Sequence, residues 1–383
     1  MQLPKSSALL TTYAPYPFPI VRGAGDCVFD ANGRRYFDFY GGHCVCSTGH
    51  SHPRVVDAIA RQARELLFYS SAAEVPVRNE AAEALIAFAN SDAEIGMRSV
   101  FFCNSGSEAN ENALKIAAKL TGRRRFAAFE GGWHGRGTLP LSVTDDPKIS
   151  DPYRDFLAPC AHLPWNDEAA LDAFEFSDVA AVILEPIQSM AGIREVAPAF
   201  FAKLRERASK NGTLLILDEI QTGIGRLGAP FAAAKYGIAP DLLTSAKGIA
   251  SGVPMGAVLM TEEIAAQLKP GDLGSTFGGS PLACAALLAT LAVIDDERLM
   301  QRAVEAELKI RQGVASTCVS KVHGAGLLLG LRVPAGARAL KKHLERAAIL
   351  VGGSSDPEVV RLMPPLNVSD EAVNALLEAI RSF

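Results

Sequence analysis

Lys247 stands in the run TSAKGIASGVPMG, between an alanine and a glycine. A lysine with such small neighbours at the end of an apolar run can enter a cleft and lose its water. Desolvation disfavours the charged form, and the neutral amine is a nucleophile able to form an imine. Asp218 follows TLLIL, and a carboxylate there is costly to bury unless it meets a cation. It reads either as a cap for the next element or as the partner of a protonated ring nitrogen. The loop NSGS, residues 104–107, opens a helical pattern, so Ser105, Gly106 and Ser107 offer backbone N–H groups and hydroxyls at the positive end of a helix. That is an anion site suited to phosphate, although a plain serine cap is the simpler reading. In GGWHGRG, Trp133 can stack on an aromatic ring and Arg136 can clamp a carboxylate. A core tryptophan and a surface arginine are the ordinary alternatives.

A phosphate cradle, a buried carboxylate, an imine-forming lysine and a stacking aromatic belong to one chemistry. They are the four holds on pyridoxal phosphate: phosphate, pyridine nitrogen, aldehyde and ring face.

A frame must bring these groups together. Short β-branched and aromatic runs at 99–103, 125–129, 179–184, 213–217, 241–245 and 256–260 predict strands. Helical patterns at 108–120 and 198–209 lie between them. Continuous apolar runs suit a sheet buried on both faces, and alternation with helices predicts an α/β fold with a mostly parallel sheet. Polar residues and glycines follow each run, and ligands of such sheets bind beyond the carboxyl ends of the strands. CVFDANGRRYFDF predicts a hairpin turning at Ala31-Asn32-Gly33. Beyond residue 281 come long helices near 282–294 and 299–316, and AGLLLGLRV and VVRLMPPL read as strands of a smaller sheet. The expected organisation is an N-terminal segment of a small domain at 1–45, a large domain at 46–280, and the rest of the small domain at 281–383.

The runs NSGSEANENALKIA, GGWHGRG, VILEPIQ, LLILDEIQTGIGRLG, TSAKGIASGVPMGAVL, GSTFGGSPLACAAL and VVRLMPPLNVS resemble, in order and spacing, motifs of the class III (ω-amino acid) aminotransferases of fold type I, and within them the acetylornithine/ornithine branch. The resemblance implies a pyridoxal-phosphate enzyme with a large sheet domain flanked by helices and a smaller α+β domain. It implies Lys247 as the residue that condenses with the coenzyme and shuttles a proton, and Asp218 as the partner of the ring nitrogen. Gln221 would bond the ring hydroxyl, Ile220 and Trp133 would press the two ring faces, and Gly106 and Ser107 would hold the phosphate. Thr276 resembles a residue that reaches the phosphate of the neighbouring subunit's coenzyme, which implies a homodimer with shared sites. Arg136 resembles the residue that holds the donor's α-carboxylate or the far carboxylate of glutamate, and Arg361 the arginine that grips the glutamate α-carboxylate, with 2-oxoglutarate as the amine's acceptor. Ser275, Cys44, Val45 and Met190 fall on the substrate side.

One departure stands out. Where the family often has a glutamate two residues past Gln188, masking that second arginine, this chain has Met190, with Ser189 in place of a glycine. Methionine cannot neutralise Arg361, so a bulkier acylated donor or loosened selectivity is the expectation. The readings weighed beside an acetylornithine-like donor are a 4-aminobutyrate or diamine aminotransferase, a specialised one of secondary metabolism, and an aminomutase or decarboxylase.

GGHCVCSTGHSHP, residues 41–53, gathers three histidines and two cysteines. Zinc needs four convergent ligands, whereas Pro53 starts a helix that carries His52 away from Cys44, so a pocket wall is the better reading. The 383 residues carry a net charge of −4, which gives no electrostatic case for nucleic acid or an anionic membrane surface. Seven cysteines, an odd number in a long chain, read as reduced thiols of a cytoplasmic protein. No membrane-spanning run is read from the sequence, and no nicotinamide-type Gly-x-Gly-x-x-Gly follows a strand.

Overall fold

The structure, a computed structural model, describes residues 8–334 and 336–383. Its centre is a seven-stranded sheet in the order Ser99–Cys103, Gly256–Met260, Leu242–Ser245, Leu214–Asp218, Val179–Leu184, Arg125–Phe129 and Cys160–Leu163. Gly256–Met260 runs antiparallel to both its neighbours, while the pairs from Leu242–Ser245 to Cys160–Leu163 are parallel. All six residues of Val179–Leu184 are buried, as an apolar run in a sheet covered on both faces must be. Each large side chain so buried contributes about 1.5–3 kcal/mol.

The helix Gly106–Thr121 leaves the end of the first strand and packs against this sheet through Ala109, Ala113, Leu114 and Ala117. Small residues on that face let the helix approach closely. The Ser105 hydroxyl caps it by accepting from Glu108 N, and Gly122 ends it in the left-handed region. The helix therefore starts two residues before the helical pattern expected at 108–120.

Cys27–Asp30 and Arg35–Asp38 form the expected hairpin, with Val28 opposite Tyr36. Asp30 Oδ1 accepts from the backbone N–H of Asn32 and Arg34, which closes the turn. Ile349–Leu350 adds in parallel beside Arg35–Asp38, so the chain's late segment returns to its early one. The last four-stranded sheet is ordered Lys321–Ala325, Leu328–Arg332, Val359–Leu362, Gly352–Gly353. Here the structure differs from the sequence reading: AGLLLGLRV is not one strand. It bends at Gly326 (φ +54°), where a Cβ would meet Arg226 O at 2.4 Å, and Ala325 pairs back onto Leu328. An apolar run carries no signal of a turn that is set by a neighbour 100 residues away. Among the described residues no helix is long and apolar enough to cross a membrane.

Candidate active site

A cavity of about 160 Å³ opens at the carboxyl ends of the central strands. Gly106, Ser107, Trp133, His134, Glu185, Asp218, Ile220, Gln221 and Lys247 all border it. The topology explains the convergence. The strands ending at Cys103, Phe129, Leu184, Asp218 and Ser245 each deliver their following residues to one sheet edge.

Asp218 is 3% exposed and both of its carboxylate oxygens are engaged. Oδ2 lies 2.8 Å from His134 Nδ1 and accepts from Asn110 Nδ2 at 2.7 Å; Oδ1 accepts from Ile220 N at 3.1 Å. A carboxylate only accepts, so the imidazole nitrogen facing it bears the proton. Asn110 is itself fixed: its Nδ2 also reaches His134 O at 2.8 Å and its Oδ1 accepts from Thr244 Oγ1 at 2.7 Å. The carboxylate cannot rotate without breaking three bonds.

Lys247 follows Ser245 by two residues and sits at φ +46°, a left-handed conformation that costs a non-glycine residue about 1–2 kcal/mol. Burial lowers the proton affinity of its amine, with Asp218 pulling the other way. Glu185 is buried beside the same cavity and is pushed up to about 7, first by burial, with His134 lowering and Asp218 raising it. Its Oε1 accepts from Trp133 N at 2.9 Å, which positions the indole.

The residues fit a phosphorylated pyridine aldehyde. At the helix start Gly106 leaves no room for a side chain: a Cβ there would meet Ile220 Cδ1 at 2.7 Å. The backbone is thus the surface presented to an anion, at the positive end of a 16-residue helix. An indole, an acceptor-only carboxylate and a desolvated amine line the same small space. Glu185, Asn110, His134 and Thr244 were not assigned roles from sequence. A buried asparagine inside a helix is a poor helix former, and that mismatch is the signal that could have marked Asn110.

Other candidate residues lie outside the cavity lining. Ser105 spends its hydroxyl on the helix cap. Ser275 Oγ accepts from Asn104 Nδ2 and Gly278 N, both at 3.1 Å. Thr276 is exposed next to Phe277, whose ring packs on Phe68 at 5.2 Å. Arg136 is exposed, with its guanidinium carbon 5.4 Å from the Trp133 ring centre. Arg361 is 4% exposed, donating to Gly353 O at 2.5 Å and Ser189 Oγ at 2.8 Å. Among the described residues neither arginine forms an ion pair. It is Ser189 that touches Arg361, while Met190 offers its carbonyl to Ser355 N at 2.8 Å. Cys44 is buried with Sγ 3.9 Å from Gln221 O, and Val45 is half-buried beside it. The histidines of residues 41–53 diverge: His43 meets Tyr40, His50 meets Asp38, and His52 meets Glu297.

The chain matches the family model described as Aminotransferase class-III over residues 10–383. It is 42% identical over 380 residues to the acetylornithine aminotransferase of Streptomyces coelicolor, covering 97% of this chain and 92% of that protein. Among solved structures it is similar to the ornithine aminotransferase from Toxoplasma gondii, with a TM-score of 0.90, 31% identity, and coverage of 98% of this chain and 92% of that one. It is also similar to an amine transaminase from an uncultivated Pseudomonas species in its PLP-bound form, with a TM-score of 0.88, 27% identity, and coverage of 99% and 98%. The likeness runs through nearly the whole chain and through every strand that delivers a residue to the cavity: the chain belongs to the class III aminotransferases, enzymes that work with pyridoxal phosphate.

Proposed function

We propose that this enzyme moves the terminal amine of an acetylornithine-like donor to 2-oxoglutarate in two alternating half-reactions. The observation that carries the reading is the pair Lys247 and Asp218 facing one small cavity at a helix start. The curated relatives named acetylornithine aminotransferase support the donor class.

Pyridoxal phosphate, when bound, supplies the electron sink that makes the substrate's Cα–H or Cδ–H acidic. The protein does the rest. The N–H groups of Gly106 and Ser107 hold the phosphate. Asp218 would hold a proton on the ring nitrogen, and His134 and Asn110 hold that carboxylate in place. Gln221 would bond the ring hydroxyl, while Trp133 and Ile220 would cover the ring faces and exclude water. Lys247 would hold the coenzyme through its aldehyde carbon, and its amine, lining the same cavity, would serve as the base that holds and moves the substrate-carbon proton. Its lowered proton affinity suits a base. Arg136 takes the donor's carboxylate and Arg361 the α-carboxylate of the dicarboxylic partner. The two guanidiniums, one exposed and one buried, neither in an ion pair among the described residues, support two separate acid-binding points.

We also propose a homodimer in which Thr276 serves the neighbouring subunit's coenzyme, and a division into a large domain at 46–280 and a small one from 1–45 and 281–383. Exposed Leu67, Phe68, Tyr69 and Phe277 support an apolar face that a second copy covers.

The test is a donor panel with 2-oxoglutarate, reading glutamate. N-acetylornithine should exceed 4-aminobutyrate and putrescine by at least about tenfold in kcat/KM, a margin of about 1.4 kcal/mol. Faster turnover with either of the latter overturns the donor assignment.

A further inference from the structure

Three side chains outside the coenzyme cavity form a line. Asp38 Oδ2 lies 2.7 Å from His50 Nε2, and His50 Nδ1 lies 3.4 Å from Cys46 Sγ. We infer that Cys46 is an activated, oxidant-sensitive thiol, served by the Asp38–His50 pair, whose oxidation by a hydroperoxide disturbs the turn that carries Lys247.

The geometry fixes the direction of proton flow. Asp38 is 4% exposed, and its Oδ1 is occupied by the backbone N–H of Tyr40 at 3.0 Å and Gly41 at 2.9 Å. The remaining oxygen accepts only, so His50 Nε2 bears a hydrogen and Nδ1 faces the thiol. The imidazole has little freedom: His50 exchanges backbone hydrogen bonds with Gly25, and a Cβ on Gly23 would meet His50 Cβ at 2.6 Å. Burial works against a charged imidazole here, yet the hydrogen bonds to Asp38 and Cys46 outweigh it and push His50 up to about 10. That raised proton affinity suits Nδ1 to take the thiol's proton, and the imidazolium so formed beside the sulfur is the environment that makes a cysteine nucleophilic.

Access separates Cys46 from its peers. Cys27, Cys44, Cys103 and Cys284 are buried, whereas Cys46 is partly exposed. Burial pushes the thiols of Cys27, Cys103, Cys160 and Cys284 up to about 12. Cys160 and Cys318, the other partly exposed thiols, form no hydrogen bond to an imidazole among the described residues.

In the step itself the thiol proton passes to His50 Nδ1, and the sulfur pair attacks one peroxide oxygen. An S–O bond forms as the O–O bond breaks. The leaving oxygen takes the proton from His50 and departs as water or an alcohol. Cys46 is oxidised by two electrons to a sulfenic acid, and the hydroperoxide is reduced by two. The added oxygen must be housed in a tight segment. The next residue, Ser47, backs directly on Gly248, where a Cβ would meet Ser47 Oγ at 2.1 Å. Gly248 adjoins Lys247, so displacement of residues 46–47 reaches the site.

The test treats the holoenzyme with stoichiometric hydrogen peroxide, then a sulfenic-acid-selective probe, and maps the label by mass spectrometry. Cys46 should carry at least about ten times the label of Cys160 or Cys318. Equal labelling overturns the proposal and needs no variant. His50→Asn should cut the label at Cys46 at least about tenfold, and unchanged labelling in that variant also overturns it. Cys46→Ser should keep transaminase activity and lose its peroxide sensitivity; persistent sensitivity overturns the link to the Lys247 turn. The labelling readout stands whether or not the donor assignment does.

Discussion

The imidazole Nδ1 of His134 lies 2.8 Å from Oδ2 of Asp218, with both side chains buried. Asp218 therefore does not meet the coenzyme cavity as a loose carboxylate. It is already oriented by His134, Asn110 and Ile220 N, so the proposed pairing with a cationic ring nitrogen would need little reorganisation.

Removing that carboxylate tests its role. Two charges ~3 Å apart at an effective dielectric of ~20 attract by about 5 kcal/mol before desolvation. Asp218→Ala is expected to retain pyridoxal phosphate through the helix start and Lys247, yet lose at least about a hundredfold in single-turnover rate. His134→Asn should lose less, about tenfold, because Asn110 still holds Oδ2. Stopped-flow half-reactions measure both, and Asp218→Ala turning over within tenfold of wild type would be incompatible with the assignment.

Asp218 and Lys247 were legible in the sequence because each follows the end of an expected buried strand, and an ionisable group in that position needs a reason. Glu185 follows VAAVIL in the same way, but a carboxylate next to Pro186 is equally what ends a strand. Asn110, Thr244 and His134 were not legible, since what selects them is one another: Asn110 bridges a helix, the Asp218 strand and the Thr244 strand. The strand Cys160–Leu163 was missed because CAHL is short, has no β-branched residue and is broken by His162, and only its parallel pairing with Arg125–Phe129 makes it a strand. Thr276 was placed by resemblance alone, and a single chain leaves it exposed.

Glu185 makes a pH prediction. Burial raises its folded-state value to about 7 from 4.5. A carboxyl raised in the fold stabilises the folded state fully below pH 4.5, and that contribution is lost as pH climbs through about 7. Glu185→Gln removes this dependence. The difference in unfolding free energy, wild type minus variant, should fall by up to about 3 kcal/mol between pH 4.5 and pH 8. A difference that stays flat in denaturant titrations across that range would place the Glu185 carboxyl near its ordinary value.

Arg361 is buried with Ser189 Oγ and Gly353 O as its partners. Arg361→Ala should raise KM for 2-oxoglutarate at least about thirtyfold while the donor half-reaction changes less than threefold, since one charge-assisted contact is worth about 1.5–3 kcal/mol. Met190→Glu should shift the balance between the half-reactions, as a new acid competes for the same guanidinium. Steady-state kinetics with both substrates varied give the answer, and equal losses in both halves would contradict a dedicated acid-binding arginine.

The shared-site dimer is testable at its rim. Phe277→Asp places a charge in the exposed apolar pair with Phe68 and should yield monomer by sedimentation, with activity falling at least about tenfold. Thr276→Ala should leave the dimer intact and weaken coenzyme binding about tenfold, the loss of roughly one hydrogen bond to a charged group. A fully active monomer would rule out sharing.

The central claim is that Lys247 alone bears the coenzyme. Holoenzyme reduced with borohydride and digested should yield one pyridoxyl-labelled peptide, modified at Lys247, with loss of both visible colour and activity. A label on any other lysine, or a protein that stays colourless and unlabelled after incubation with pyridoxal phosphate, would contradict it.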